Sequence, residues 1–383
     1  MEKISVILIS SVRPEPTSGG QIILHRHLVN QPGIELKVYG EEPKGFHWTA
    51  IVRRLVGKFE QIINAKLAGD FWAWWEGRWI DPFLPKRVDS GRPTVVMTVA
   101  HGEGFMAALR FARKHQLPLV SFFQDWWPDM APVHSFSRKR LETMFRQLAE
   151  ESAVIFCVSE GMKEALALSQ GTVLPPIPAA AKPGLRKNSR NQRSDGKFRV
   201  LYFGNLGEYG PMLGDALKAL QGNERVELVV RGSQPKWPKD FAEKMKRQEK
   251  WLEFAPRSEL EEWLESAGAF LIPMVFDPSM RRRMETSFPS KLVEFAQFGK
   301  PLVVWGPGYC SAVEWASRAD AAVCVNDADP SVLVVALEKL AGDKELQKRY
   351  AAKAAIAAAN EFDHERIRQL LHNILMQSLA SKP

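Results

Sequence analysis

The chain has 383 residues, 45% of them hydrophobic and 25% charged, with a formal net charge of +8; this length predicts two domains of about 150–200 residues in a soluble globular protein. No uninterrupted apolar run approaches the ~20 residues of a membrane span. Three scattered cysteines (Cys157, Cys310, Cys324) argue against a disulfide scaffold or a zinc site and suit a reducing cytosol. Seven basic residues against one acid fall within 181–199, so the charge sits in one segment, and a nucleic-acid footprint, which forms a stripe on a folded face, is not expected.

Met1-Glu2-Lys3 leads straight into Ile4–Ile9, a strand-length run with no small-residue cleavage site, so no signal peptide is expected. Further strands are predicted at Ile34–Tyr39, Thr94–Val99, Leu119–Phe123 and Val154–Val158. Helices fall between them, among them Gly104–His115 and Ser137–Ser152. This alternation predicts a parallel sheet with right-handed crossovers, in which ligands bind beyond the carboxyl ends of the strands. Three groups fall at that edge. Gly19 and Gly20 follow the first strand, where paired glycines either admit a diphosphate or sugar to the backbone N–H groups or make a tight turn. His101 follows the third strand, either to bond a sugar hydroxyl and position an acceptor or to be satisfied within its loop. Gln124-Asp125-Trp126-Trp127-Pro128-Asp129 follows the fourth. Asp125 is a candidate general base, and Trp126 and Trp127 a candidate stacking platform for the acceptor. The competing reading is a core-anchoring Trp pair with Asp125 as a turn residue. Ser159 suits a helix N-cap.

Residues 48–80 carry five of the twelve tryptophans. Trp48, Ile51, Val52, Leu55, Val56, Phe59, Ile62, Ile63 and Leu67 recur at helical spacing, flanked by Arg53, Arg54, Lys58 and Lys66. A basic amphipathic helix with a Trp cluster suits an anionic membrane surface as a partner, and it also suits a helix packed on the sheet.

Pro-rich 175–178 and the Ala-rich, charged stretch after it mark an interdomain linker over 179–197. The domains are then 1–178 and 198–361, with 362–383 free to pack back on the first. Strands resume at Phe198–Phe203, Val226–Val230, Trp251–Phe254, Ala269–Pro273, Pro301–Val304 and Ala321–Val325, and Lys344–Met376 is helical. The most specific segment is Phe288-Pro289-Ser290-Lys291-Leu292-Val293-Glu294. Pro289 suits a first helical position, Gly299 ends the helix, and Pro301 prevents its resumption. The first-turn N–H groups with Lys291 form an anion site. Glu294, one turn below Ser290 on the same face, suits ribose hydroxyls; the bland alternative is an ordinary helix with an exposed Glu. Asp327-Ala328-Asp329 spells a metal-binding pattern but reads as a helix start before Pro330, so no metal site is expected.

Two doubly wound domains joined by a linker, with Pro289–Glu294 late in the second, resemble the GT-B glycosyltransferases, in particular glycosyltransferase family 4 of bacterial polysaccharide and glycolipid assembly. Pro16-Thr17-Ser18-Gly19-Gly20 is similar to that family's glycine loop. Leu201-Tyr202-Phe203-Gly204-Asn205-Leu206-Gly207 is similar to its phosphate loop, and Phe288–Glu294 with Gly299-Lys300-Pro301 to its donor segment. The resemblance implies an α/β fold of two doubly wound Rossmann-like domains facing across a cleft. It implies sugar transfer from a UDP- or GDP-linked donor to a glycan or lipid-linked acceptor, usually with retention, without cofactor or metal, and at the inner face of the plasma membrane where the acceptor is lipid-linked. Donor contacts would come from Gly19, Gly20, Gly204, Asn205, Ser290, Lys291, Leu292 and the ribose-binding Glu294. The chain departs from the pattern twice. Thr286, beside Glu285, stands where many members carry a second Glu, and Asn205 and Glu208-Tyr209 stand where many carry Arg and Lys. Arg281, Arg282 and Arg283, on the loop before the donor helix, are then expected to join Lys291 in stabilising the leaving diphosphate; the alternative is a solvated basic loop. A nucleotide-sugar epimerase on the same fold, or a non-catalytic partner of another transferase, are the competing functions.

Overall fold

The computed structural model describes residues 3–17, 19–40, 47–62, 64–89, 91–179 and 196–380. The chain divides into two units, Met1–Ile177 with Glu365–Pro383, and Pro178–His364. Most of the 179–197 segment read as a linker, and Ser18 of the glycine loop, lie outside the described residues.

The first unit runs β1 (Ile4–Ile9), α1 (Gly19–Leu28), β2 (Ile34–Tyr39), α2 (Trp48–Ile62), α3 (Ala65–Trp75), β3 (Thr94–Val99), α4 (Gly104–His115), β4 (Leu119–Phe123), α5 (Trp127–Met130), α6 (Ser135–Glu151), β5 (Val154–Cys157), α7 (Glu160–Ala165) and β6 (Thr172–Val173). Its strands are parallel, in the order β2-β1-β3-β4-β5-β6. β1, β3 and β4 are buried along their whole length, because a parallel sheet carries helices on both faces; this is why they read as continuous apolar runs. β6, at two residues, is too short to leave a periodic signal, and the sequence pattern does not predict it. Local chemistry ends the helices: Asn64 caps α3 by accepting from Lys66 and Leu67 N–H, and Ser159 caps α7 by accepting from Met162 N–H.

α2 and α3 show two faces. Ala68, Trp72, Ala73 and Trp79 are buried, with the Arg53 guanidinium 4.7 Å from the Trp72 ring and 5.3 Å from Trp79. Trp48, Ile51, Leu55, Leu67, Phe71 and Trp74 are between 38% and 61% exposed. The side chains of Phe59, Ile62 and Ile63 lie outside the described residues.

The second unit runs β7 (Phe198–Gly204), α8 (Leu206–Ala219), β8 (Val226–Gly232), α9 (Lys239–Arg247), β9 (Trp251–Leu252), α10 (Arg257–Glu265), β10 (Ala269–Pro273), α11 (Arg281–Thr286), α12 (Ser290–Ala296), β11 (Leu302–Trp305), α13 (Ser311–Ala319), β12 (Val323–Val325), α14 (Pro330–Gly342) and α15 (Lys344–Asn360). The sheet is again parallel, ordered β12-β11-β10-β7-β8-β9, with one apolar cluster on each face.

The helix expected over Lys344–Met376 is two helices, α15 and α16 (His364–Ala380). The chain breaks where Phe362 turns inward to pack 5.3 Å from Trp315, while Trp315 Nε1 donates to Glu361. From Glu365 onward α16 belongs to the first unit. There Arg368 donates to the carbonyls of Arg26 at 2.9 Å and Val29 at 3.3 Å, and Gln31 donates to the Arg368 carbonyl. These are the acceptors that the end of α1 leaves unpaired.

Candidate functional site

In the first unit, three strand ends meet. Beyond β1, the Ser11 hydroxyl accepts from the N–H groups of Glu103 and Gly104 at the start of α4, at 3.0 and 2.9 Å. A Cβ on Gly40, Gly102 or Gly104 would each come within 2.5 Å of Ser10 or Ser11, so the turn closes only because these positions lack side chains. Gly19 adopts φ +51° at the head of α1. A Cβ on Gly20 would fall 2.5 Å from Gln124 Oε1, at the end of β4.

His101, past β3, packs against Trp127, the ring centres 4.0 Å apart and the planes tilted by 42°. Burial lowers its pKa while the Asp125 carboxylate pulls the other way, and the net shift is downward. The ring is therefore neutral at pH 7, one nitrogen donating and the other accepting. The Asp125 carbonyl accepts from Trp127 N–H at 2.9 Å, so its backbone makes the turn while its carboxylate acts on His101. Trp126 takes the core-anchoring one of the two readings. It is 1% exposed and its Nε1 donates to Glu142 at 2.8 Å, with Arg146 over its ring. It anchors the core between β4 and α6, and of the pair only Trp127 keeps partial exposure. Two groups at this edge escaped the sequence reading. Glu103 accepts from Trp79 Nε1 at 2.5 Å, and Gln124 is 93% buried at the turn. Gln124 carries no motif of its own, and only its packing against Gly20 marks it.

In the second unit, Asn205 caps α8: its Oδ1 accepts from Gly207 N–H at 2.9 Å and from Ser233 Oγ at 3.0 Å. Gly204 adjoins Lys291, whose Cε would be 3.7 Å from a Cβ there. Lys291 Nζ stands 4.3 Å from the centre of the Phe203 ring. The three arginines are not on a loop; they form the first turn of α11, and the helix separates them. Arg281 bonds Glu285 at 2.7 Å and covers the Tyr309 ring, Arg282 is exposed, and Arg283 is ion-paired with Glu208 in the first turn of α8. Thr286 is buried, and its hydroxyl donates to the Arg282 carbonyl at 2.8 Å. A threonine there closes a helix turn instead of offering a carboxylate.

Pro289 is the N-cap of α12, one position earlier than expected, and Ser290 is the first helical residue. Gly299 takes φ +59° just past the helix end, the left-handed exit that glycine favours. Leu292 is fully buried and its N–H is used by the Pro289 carbonyl at 3.0 Å, so it belongs to the core and not to a ligand surface. Glu294 is half-buried and accepts from Ala179 N–H at 3.2 Å. Asp329 caps α14 by accepting from Ser331 N–H, as a helix start requires.

Family models match on both sides of the linker: Glycosyltransferase Family 4 over residues 24–177, and Glycosyl transferases group 1 over 197–343. No curated protein matches the chain. Among solved structures, the chain resembles Anabaena HepE in complex with UDP and glucose, at 16% identity and a TM-score of 0.63, over 98% of this chain and 100% of that one. It also resembles α,α-trehalose 6-phosphate synthase of Burkholderia multivorans, at 12% identity and 0.59, over 100% and 98%. A third is WaaG, a glycosyltransferase involved in lipopolysaccharide biosynthesis, at 13% identity and 0.53, over 97% and 99%. Two parallel six-stranded sheets with helices, matched on each side of the linker by glycosyltransferase models, identify the chain as a GT-B glycosyltransferase of the family 4 kind.

Proposed function

We propose that the protein transfers a sugar, with retention and without a metal ion, from a nucleotide-sugar donor to a glycan or lipid-linked acceptor of the cell envelope. One observation carries this reading. The Gly204–Glu208 turn lacks its own cations, yet Lys291 and Arg283 flank it, one beside Gly204 and one paired with Glu208. Two fixed cations suit the charge that develops on a leaving diphosphate. Glu294, one helical turn beyond Ser290, takes the ribose hydroxyls.

In this reaction the acceptor oxygen forms a bond to the anomeric carbon, and the bond from that carbon to the diphosphate breaks. The nucleoside diphosphate leaves with the electron pair. The acceptor's proton passes to a leaving phosphate oxygen or to Asp125. The neutral His101 orients sugar hydroxyls, and Trp127 offers the partly open ring face. HepE structures with UDP and with UDP-glucose support a nucleotide-sugar donor.

The exposed α2–α3 face supports a second element of the reading, contact with the anionic inner surface of the plasma membrane. It combines large apolar side chains with exposed Arg54, Lys58 and Lys66. Among the described residues, no helix is long and apolar enough to cross a membrane.

The deciding experiment screens UDP- and GDP-linked sugars for thermal stabilisation and then for transfer, with and without EDTA. The reading expects one donor class to raise Tm and turnover to survive chelation. Stabilisation by no nucleotide sugar would refute it, and turnover lost to EDTA would refute the metal-independent part.

A further inference from the structure

Prolines shape the segment Pro175–Ala179. Pro175, Pro176 and Pro178 carry no backbone N–H, so Ile177 and Ala179 hold the N–H groups of this stretch. Pro176, Ile177 and Pro178 are buried. Two carbonyls of the segment are engaged by α1: Arg26 Nη1 donates to Ile177 O at 2.8 Å, and His27 Nε2 lies 3.1 Å from Pro175 O. The fixed φ of each proline and these two anchors determine where the chain goes next. It delivers the Ala179 N–H to Glu294 Oε2, on α12, at 3.2 Å. A glutamate side chain has several open rotamers, and a bond to a backbone group selects among them. A carboxylate offers about four acceptor sites, so one N–H leaves capacity for hydroxyls, and Glu294 is only half-buried.

We infer that the Ala179 backbone N–H is a positioning group for nucleotide-sugar binding: it holds the Glu294 carboxylate in the orientation that receives the ribose hydroxyls. This rests on the proposed transferase reading, in which Glu294 takes the ribose. The added element is the source of the restraint, a proline-set stretch of chain at the junction of the two units, Ile177 ending one and Pro178 opening the other. Ala179 acts through Glu294, and it does so by its backbone, whatever small side chain it carries.

The test compares full-length wild type with Ala179→Ser, which keeps the N–H, and Ala179→Pro, which removes it. Binding of UDP and GDP is measured by calorimetry against their 2′,3′-dideoxy forms, which lack the ribose hydroxyls. Wild type is expected to prefer the ribose form about tenfold, the effect of a hydrogen bond to a charged group. Ala179→Pro should abolish most of that preference by weakening the ribose form alone, and Ala179→Ser should restore it. Equal loss for both forms would mark a general structural role and overturn the inference. Unchanged affinity for the ribose form would overturn it as well, and tighter binding would show that the N–H competes with ribose instead of positioning its partner. Hydrogen exchange in wild-type protein supplies a second measurement that needs no variant. The Ala179 amide is expected to exchange more slowly when the ribose form binds, and faster exchange would contradict the proposal. Wild type that binds UDP and GDP without preferring the ribose forms would overturn the ribose role of Glu294 and the inference with it. Wild type that binds none of the four probes would overturn the transferase reading itself.

Discussion

At the residue scale, the cation question has a split answer. Three adjacent arginines look equivalent in sequence, but a helix points successive residues about 100° apart. Arg281 turns to Glu285 and Tyr309, while Arg283 reaches Glu208. We therefore expect unequal effects in steady-state donor kinetics. Lys291→Ala should lower kcat/KM by about 10²–10³, the scale of one lost electrostatic contact to developing charge. Arg283→Ala should cost about tenfold and Arg281→Ala less than about threefold, as an exposed pair implies. Equal losses at 281 and 283 would contradict the geometry. His27 illustrates a different residue effect. It is fully buried in α1, within hydrogen-bond distance of the Ile23 and Pro175 carbonyls at 2.7 and 3.1 Å. Burial lowers its pKa to about 4, with the two carbonyls opposing and Arg368 and Arg26 adding to the fall. The unfolded histidine binds a proton near pH 6.5, so the folded state binds fewer protons as pH drops. Stability should thus decline from pH 6.5 towards pH 4, by about 3 kcal/mol at the lower end. Thermal unfolding from pH 7.5 to 4.5 checks this, and a His27→Gln variant should flatten the dependence.

At the element scale, the informative pair is α2 and α3. Their apolar periodicity is plain in sequence, yet periodicity alone does not say which residues of the stripe the sheet covers. Burial divides it: Trp72 and Trp79 go inside, and Trp48 and Leu55, each 61% exposed, stay outside. The proposed membrane contact is tested with liposomes containing anionic lipid. Binding is expected at low salt and should weaken as salt rises, because the basic flank is screened. Replacing Trp48 and Leu55 with Ser should reduce it more than about tenfold, since each removes roughly 1.5–3 kcal/mol of apolar transfer. No sedimentation at low salt would remove the membrane from the account.

At the scale of the whole molecule, the C-terminal helix belongs to the unit formed by the opposite end of the chain. Ile367, Leu371 and Leu375 of α16 are each no more than 2% exposed, and Arg368 closes the end of α1. Deleting residues 364–383 should therefore destabilise the first unit by on the order of 5 kcal/mol, from three lost apolar side chains. Thermal unfolding with limited proteolysis would show it as faster cleavage within 3–177. The sequence by itself determined the parts governed by neighbours along the chain. Strand runs at Ile4–Ile9 and Thr94–Val99 follow from burial on both faces of a parallel sheet, caps at Ser159 and Asp329 from unpaired helix N–H groups, and the exit at Gly299 from its tolerance of positive φ. Family recognition came from the same local motifs. Tertiary structure decided what depends on partners distant in sequence. It buried Trp126 against Glu142, broke the last helix at Phe362, brought Arg283 to Glu208 across 75 positions, and set the Gln124 amide against Gly20. Hydrophobic period and capping are written in adjacent residues, whereas the choice of which polar group meets which is made by packing, where space and unpaired donors, not sequence spacing, fix the answer.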